Sequence, residues 1–139
     1  MFDQITVFLE NSEGRLAALC HTLSEAGVNM AALTIADTAD YGVVRIICDQ
    51  PSKAVEVLID ADFRAMVTKV SAIAVPNEPG GLAKLLETLD KLNLNIEYGY
   101  CFSVGDDRAV DVLKISGETQ AADAAKALEE AGKERHSFK

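Results

Sequence analysis

The chain is written twice. Displaced by 66 residues, "NSEGRLAALCHTLSEAGVNMAALT" lies without a gap over "NEPGGLAKLLETLDKLNLNIEYGY". Eight of these 24 positions are identical: Asn11/Asn77, Gly14/Gly80, Leu16/Leu82, Ala17/Ala83, Leu19/Leu85, Thr22/Thr88, Leu23/Leu89 and Asn29/Asn95. Unrelated segments of this composition share roughly one or two, so the two halves are copies and take one fold. The same ungapped offset sets Val7 over Ile73, Leu9 over Val75, Val44 over Val110 and Ile46 over Val112.

Each copy then reads by its period. "ITVFLE" and "SAIAVP" are short, β-branched and apolar on both alternating faces, which predicts strands covered on both sides. Leu16, Leu19, Cys20 and Leu23, repeated as Leu82, Leu85, Leu86 and Leu89, follow the i, i+3, i+4, i+7 spacing of an amphipathic helix. Gly27 and Asn93 suit the left-handed residue that ends such a helix. "VNMAALTIA" and "LNIEYGYCFSV" read as strands, followed by turns at Thr38 to Gly42 and Gly105 to Arg108 and by the strands "VVRIIC" and "AVDVLKI". Pro51-Ser52 and Gly117-Glu118 precede a second helix, with apolar positions Val55, Leu58 and Ile59 in one copy and Ala121, Ala124, Ala125 and Leu128 in the other. "AMVTKV" supplies a last strand that abuts "SAIAV" with no linker, whereas "KERHSFK" is short and charged, so the last strand of the second copy is expected to be weak or frayed.

The pattern predicts an α+β chain of two ferredoxin-like βαββαβ repeats with antiparallel sheets, packed together, over residues 1–69 and 70–139. With 49% apolar residues, there is material for a core in each. Helices on one face leave the other face of each sheet, carrying Val7 or Phe8, in need of cover. The second repeat or a second chain can supply it, and a homodimer is expected. Tyr98, Tyr100 and Phe102 alternate along one strand face, where the first copy has Ala32, Thr34 and Ala36, and fit either a core or a contact role.

A formal net charge of -9 argues against a nucleic-acid surface. No apolar stretch approaches the ~18 residues of a membrane helix, and the first residues lack the features of a secretory signal, so no membrane association and a cytoplasmic location are expected. Cys20, Cys48 and Cys101 lie far apart in apolar-patterned segments and read as reduced, structural thiols. Of the two histidines, His21 borders the helical stripe and His136 lies in the charged tail. Cys20 and His21 point roughly 100° apart on a helix and cannot act as a nucleophile and base pair. No zinc, calcium or nucleophile-elbow motif is present, so no catalytic residues, no metal site and no cofactor are predicted. "DTAD" and "GDDR" fit hairpin turns.

The loop "NEPGGL" lacks the spacing of G-x-x-x-x-G-K-[ST] and of G-x-G-x-x-G. It remains a strand-to-helix corner of small residues, whose free backbone N–H groups favour an anionic group such as a carboxylate. Two readings stay open: ligand contact, or plain turn chemistry in which Asn11 and Asn77 order their own loops and Asn29 and Asn95 serve the helix-to-strand corners.

Taken together, a strand, "N-x-P-G-G-L", leucines at helical spacing and "L-N-I" resemble the signature of the ACT domain, a small-molecule-sensing module of βαββαβ fold. The resemblance covers nearly the whole chain, residues 4 to about 70 and 70 to about 132. The first copy departs from it with Glu13 and Arg15 at the places of Pro79 and Gly81. The resemblance implies a non-enzymatic regulator that binds an amino acid between a strand-to-helix loop and a neighbouring domain. By motif position it implies Asn77, Pro79, Gly80, Gly81, Leu82, Asn95 and Ile96 as ligand-binding residues. In the first copy the matching residues are Asn11, Ser12, Gly14, Arg15, Leu16, Asn29 and Met30. The alternative it leaves open is a regulatory subunit of an amino-acid biosynthetic enzyme, like the acetolactate synthase small subunit, acting by protein contact on an enzyme partner.

Overall fold

A computed structural model describes residues 1–10, 12–37 and 41–116. In chain order they form β1 (Phe2–Glu10), α1 (Arg15–Glu25), β2 (Met30–Asp37), β3 (Tyr41–Cys48), α2 (Pro51–Asp60), β4 (Arg64–Pro76), α3 (Gly81–Lys91), β5 (Ile96–Ser103) and β6 (Arg108–Ile115). The paired strands are antiparallel: β1 with β3, β2 with β3, β4 with β6 and β5 with β6. The α+β class and the ferredoxin-like strand pattern are as the sequence predicts. The second helix and last strand expected of the second copy lie outside the described residues.

Two units share the chain. One is Asp3–Thr68; the other takes Met1–Phe2 together with the chain from Lys69, so the division falls inside the 13-residue β4. The expected absence of a linker thus takes the form of one continuous strand.

In the first unit the strands run β2-β3-β1-β4. Ile5, Val7 and Leu9 of β1 and Val44 and Ile46 of β3 meet Leu19 and Leu23 of α1 and Ala54 and Leu58 of α2, with Phe63 at the margin. Period-two alternation sends Phe8 and Glu10 to the opposite, helix-free face. Val7 is fully buried and Phe8 is 39% exposed, which settles which of the two points away from the helices. Gln4 and Thr6 are buried as well, so β1 is covered on both faces over its middle but not at its end. On α2 Ala54 and Leu58 are buried and Val55 and Val57 pack half-buried against the same cluster, while Ile59 is 54% exposed.

In the second unit the order is β4-β6-β5. Leu85 and Leu89 of α3 pack on Ile73, Val75, Leu113 and Ile115, and Met1 joins the same cluster. The Ser71 hydroxyl donates to Met1 Sδ at 3.8 Å. Each helical stripe is narrower than its spacing predicts. Leu19, Leu23, Leu85 and Leu89 are buried, but Leu16, Leu82 and Leu86 are 37%, 42% and 37% exposed. A helix on one sheet buries only the line of residues facing it, and the flanks of a wider stripe stay half open.

The structure corrects the ungapped repeat beyond the first hairpin strand. Leu33 pairs with Ile46 and Gly99 with Leu113; Val7 pairs with Val44 and Ile73 with Asp111. Val44 therefore corresponds to Asp111, not to Val110, and Ile46 to Leu113, not to Val112. Asp37 pairs with Gly42 but Ser103 with Ala109, so the second hairpin turn is one residue longer. That residue reverses the faces of everything after it. Asp111 consequently stands at a position of the first copy that belongs to the helix-covered core. It is 2% exposed, and its Oδ2 has no hydrogen-bond partner among the described residues. Burial pushes its carboxyl above the usual range, and a hydrogen bond from the Cys101 thiol on β5 opposes this to a lesser extent.

Candidate functional site

The two strand-to-helix corners repeat bond for bond. In the first, Ser12 N–H donates to the Glu10 carbonyl at 2.8 Å, Arg15 N–H to Ser12 at 3.4 Å and Ala18 N–H to Gly14 at 3.0 Å. In the second, Glu78 N–H donates to Pro76 at 3.0 Å, Gly81 N–H to Glu78 at 3.1 Å and Lys84 N–H to Gly80 at 3.0 Å. Gly14 and Gly80 stand at the N-caps with φ of 83° and 90°, the left-handed conformation that glycine adopts without steric cost. A glycine N-cap brings no side-chain acceptor, and neither helix has a side-chain cap. Among the described residues the N–H groups of Leu16, Ala17, Leu82 and Ala83 have no acceptor. Each corner thus presents two unpaired donors at the positive end of a helix dipole.

Behind these donors the corners differ. Gly81 is buried, and a Cβ placed on it would overlap the carbonyl oxygen of Pro76, so the second loop closes against its own strand in a way only glycine permits. Arg15 carries a Cβ at the matching position, so the first loop cannot close in that way. Its guanidinium lies 4.3 Å from the ring centroid of Phe63, a cation–π contact, and its buried Nε has no acceptor among the described residues. Arg15 therefore closes the core edge behind the first corner. Phe63 was not legible as its partner, because a contact between the start of α1 and the residue before β4 leaves no spacing signal.

Asn77 ties its loop to the β5–β6 turn: its N–H donates to the Asp107 carbonyl at 2.9 Å and its Nδ2 to that of Asp106 at 3.4 Å. Asn11 lies outside the described residues. Ser12 and Pro79 are exposed on their loops, and Leu16 and Leu82 extend half-exposed from the first helical turns.

The remaining candidates are at the far end of each sheet. Asn29 N–H donates to Asp49 Oδ1 at 3.0 Å, and Asn95 Nδ2 donates to Ser116 Oγ at 3.0 Å. Met30 pairs with Cys48 and Ile96 with Ile115, whereas Glu10 pairs with Tyr41 and Pro76 with Arg108 at the opposite end. A strand of this length spans about 26 Å at ~3.3 Å per residue. Within one unit, then, the loop residues and the Asn29 or Asn95 corner are not brought together, and no single amino acid reaches both.

Comparison with known proteins bears on what such a duplicated corner belongs to. A family model described as "ACT domain pair" matches residues 1–128. This chain belongs to the ACT domain pair family. Protein BT0572 from Bacteroides thetaiotaomicron has 36% identity to this ACT pair and a TM-score of 0.87, over 95% of this chain and 89% of that one. The regulatory subunit of aspartate kinase from Thermus thermophilus, in its ligand-free form, has 17% identity and a TM-score of 0.67, over 93% of this chain and 91% of its own. The corresponding subunit from Thermus flavus has 16% identity and a TM-score of 0.63, over 94% and 92%. The last two share the fold of the ACT pair. Comparison with curated proteins returned no match.

Elsewhere in this ACT pair, His21 sits on the exposed face of α1 with Nε2 3.0 Å from Glu25 Oε1 one turn on. Among the described residues, no three His, Cys, Asp or Glu side chains gather as a metal site, and no helix is long and apolar enough to cross a membrane. Cys48 is buried, and burial pushes its thiol up, which keeps it protonated and unreactive; Cys101 is exposed.

Proposed function

We propose that this ACT pair is a non-catalytic, cytoplasmic sensor, working as a homodimer, that binds an amino acid and regulates a metabolic enzyme. The observation that carries the reading is the pair of corners with open N–H groups, Leu16 with Ala17 and Leu82 with Ala83. An α-carboxylate is the part of an amino acid that such donors hold best. Gly80, Gly81 and Leu82 form the binding edge of the second corner, and Ser12, Gly14 and Leu16 that of the first. Asn77 and Pro79 set the shape of the second loop. Arg15 supports its corner from behind. Asn29, Met30, Asn95 and Ile96 serve a ligand only where a neighbouring domain carries them to the loop.

The fold shared with aspartate kinase regulatory subunits supports regulation of an enzyme partner. Leu82 and Leu86, 42% and 37% exposed one turn apart on α3, favour the second reading, in which protein contact transmits the signal or replaces the ligand. Calorimetric titration with the twenty amino acids separates the two. The sensor reading expects saturable heat from at least one of them. No heat from any, together with co-purification of an enzyme, favours contact alone.

A further inference from the structure

On the face of the first unit that carries no helix among the described residues lies a cleft of about 480 Å³, whose described lining is Phe8, Glu10, Tyr41 and Arg64. Its construction follows from the strand pattern. Phe8 and Glu10 are two apart on β1 and share a face, Glu10 pairs across with Tyr41 at the start of β3, and Arg64 begins the strand on the other side of β1. The Phe8 and Tyr41 rings meet edge to face, 6.1 Å between centroids at 64°. No ion pair joins Glu10 to Arg64 among the described residues.

We propose that this cleft is a second amino-acid site, binding a free zwitterion with an apolar or aromatic side chain. Arg64 receives the α-carboxylate, Glu10 receives the α-ammonium, and the side chain lies along the Phe8 and Tyr41 rings. One guanidinium and one carboxylate flanking an aromatic wall match the two charges and one apolar group of such a molecule. A simple anion would gain nothing from Glu10, and a simple cation nothing from Arg64. A volume of 480 Å³ accommodates an amino acid of leucine or phenylalanine size. The second copy cannot repeat the site: Phe8 and Glu10 correspond to Ala74 and Pro76, and Tyr41 to Arg108 through the longer hairpin. The expected stoichiometry at this face is therefore one molecule per chain. The copy whose loop departs from the family signature is the one that carries the cleft.

This inference rests on the amino-acid reading above for its ligand class, and the test keeps the two apart. Calorimetry on the full chain uses L-leucine and L-phenylalanine, their N-acetyl derivatives, which lack the ammonium, and their amides, which lack the carboxylate. The variants Glu10→Gln and Arg64→Gln change exposed side chains outside both cores. The expected result is binding of at least one free amino acid, with a loss of about tenfold or more on blocking either end and on making either substitution. Binding that both variants leave unchanged overturns the cleft while the sensor reading stands. Failure of both L-leucine and L-phenylalanine to bind overturns the cleft, whereas the sensor reading falls only if all twenty amino acids fail in the titration above.

Discussion

Asp111 shows how far one residue can be misplaced by a frame that is off by one. The ungapped offset sets it over Arg45; in the structure it replaces Val44 in the helix-covered layer. The slip was hidden because Val110, Val112 and Leu113 are all buried, so the apolar pattern of β6 gives no alternation to fix its register. The folded chain holds the Asp111 proton to higher pH than the unfolded chain does. Between the unfolded value near 3.9 and the raised folded value the folded state binds more protons, so this group lowers stability as pH rises. Above that window the penalty is constant. Asp111→Asn is expected to raise the melting temperature more at about pH 7 than at about pH 3.5, and Asp111→Val to add about 1–3 kcal/mol at neutral pH. Thermal melts across pH check this; a loss of stability at neutral pH in both variants would contradict it. Gly81 gives the opposite case, a residue whose smallness is required. Gly81→Ala is expected to cost about 1–3 kcal/mol in urea denaturation, because its Cβ has no space beside the Pro76 carbonyl.

At the level of elements, strand and helix types were legible because short β-branched runs alternate with leucines at 3.6-residue spacing and with glycines where the chain must turn. Gly27 and Asn93 take the left-handed conformation at φ of 73° and 57°, as their residue types suggested. What periodicity could not give was the width of each buried stripe, since spacing counts apolar residues and not the area facing them. The distinction is measurable on α3 alone. Leu85→Ala or Leu89→Ala is expected to cost about 2–5 kcal/mol, whereas Leu82→Ala or Leu86→Ala on the same helix costs less than about 1 kcal/mol. Equal losses at all four positions would contradict the packing. The candidate site was legible only in part for a related reason. Sequence names the corner residues, but Asn77 and Asn95 are assigned together by motif, while α3, which runs between them in the chain, sets them at opposite ends of the sheet.

For the whole molecule, the duplication accounts for two corners of one design, and the departures between copies account for their separate fates. Gly81 lets the second loop close on its strand, Arg15 turns to Phe63 in the first, and Phe8, Glu10 and Tyr41 of the aromatic cleft have Ala74, Pro76 and Arg108 in their places in the second copy. A ligand that binds the folded chain must raise its stability, by about 2.7 kcal/mol at a hundredfold excess over Kd. A thermal-shift series against the twenty amino acids, run to saturation on the full chain, tests whether this ACT pair senses an amino acid. A concentration-dependent rise in melting temperature is expected for at least one amino acid, with none for its N-acetyl amide. No rise with any of the twenty would contradict the sensor reading.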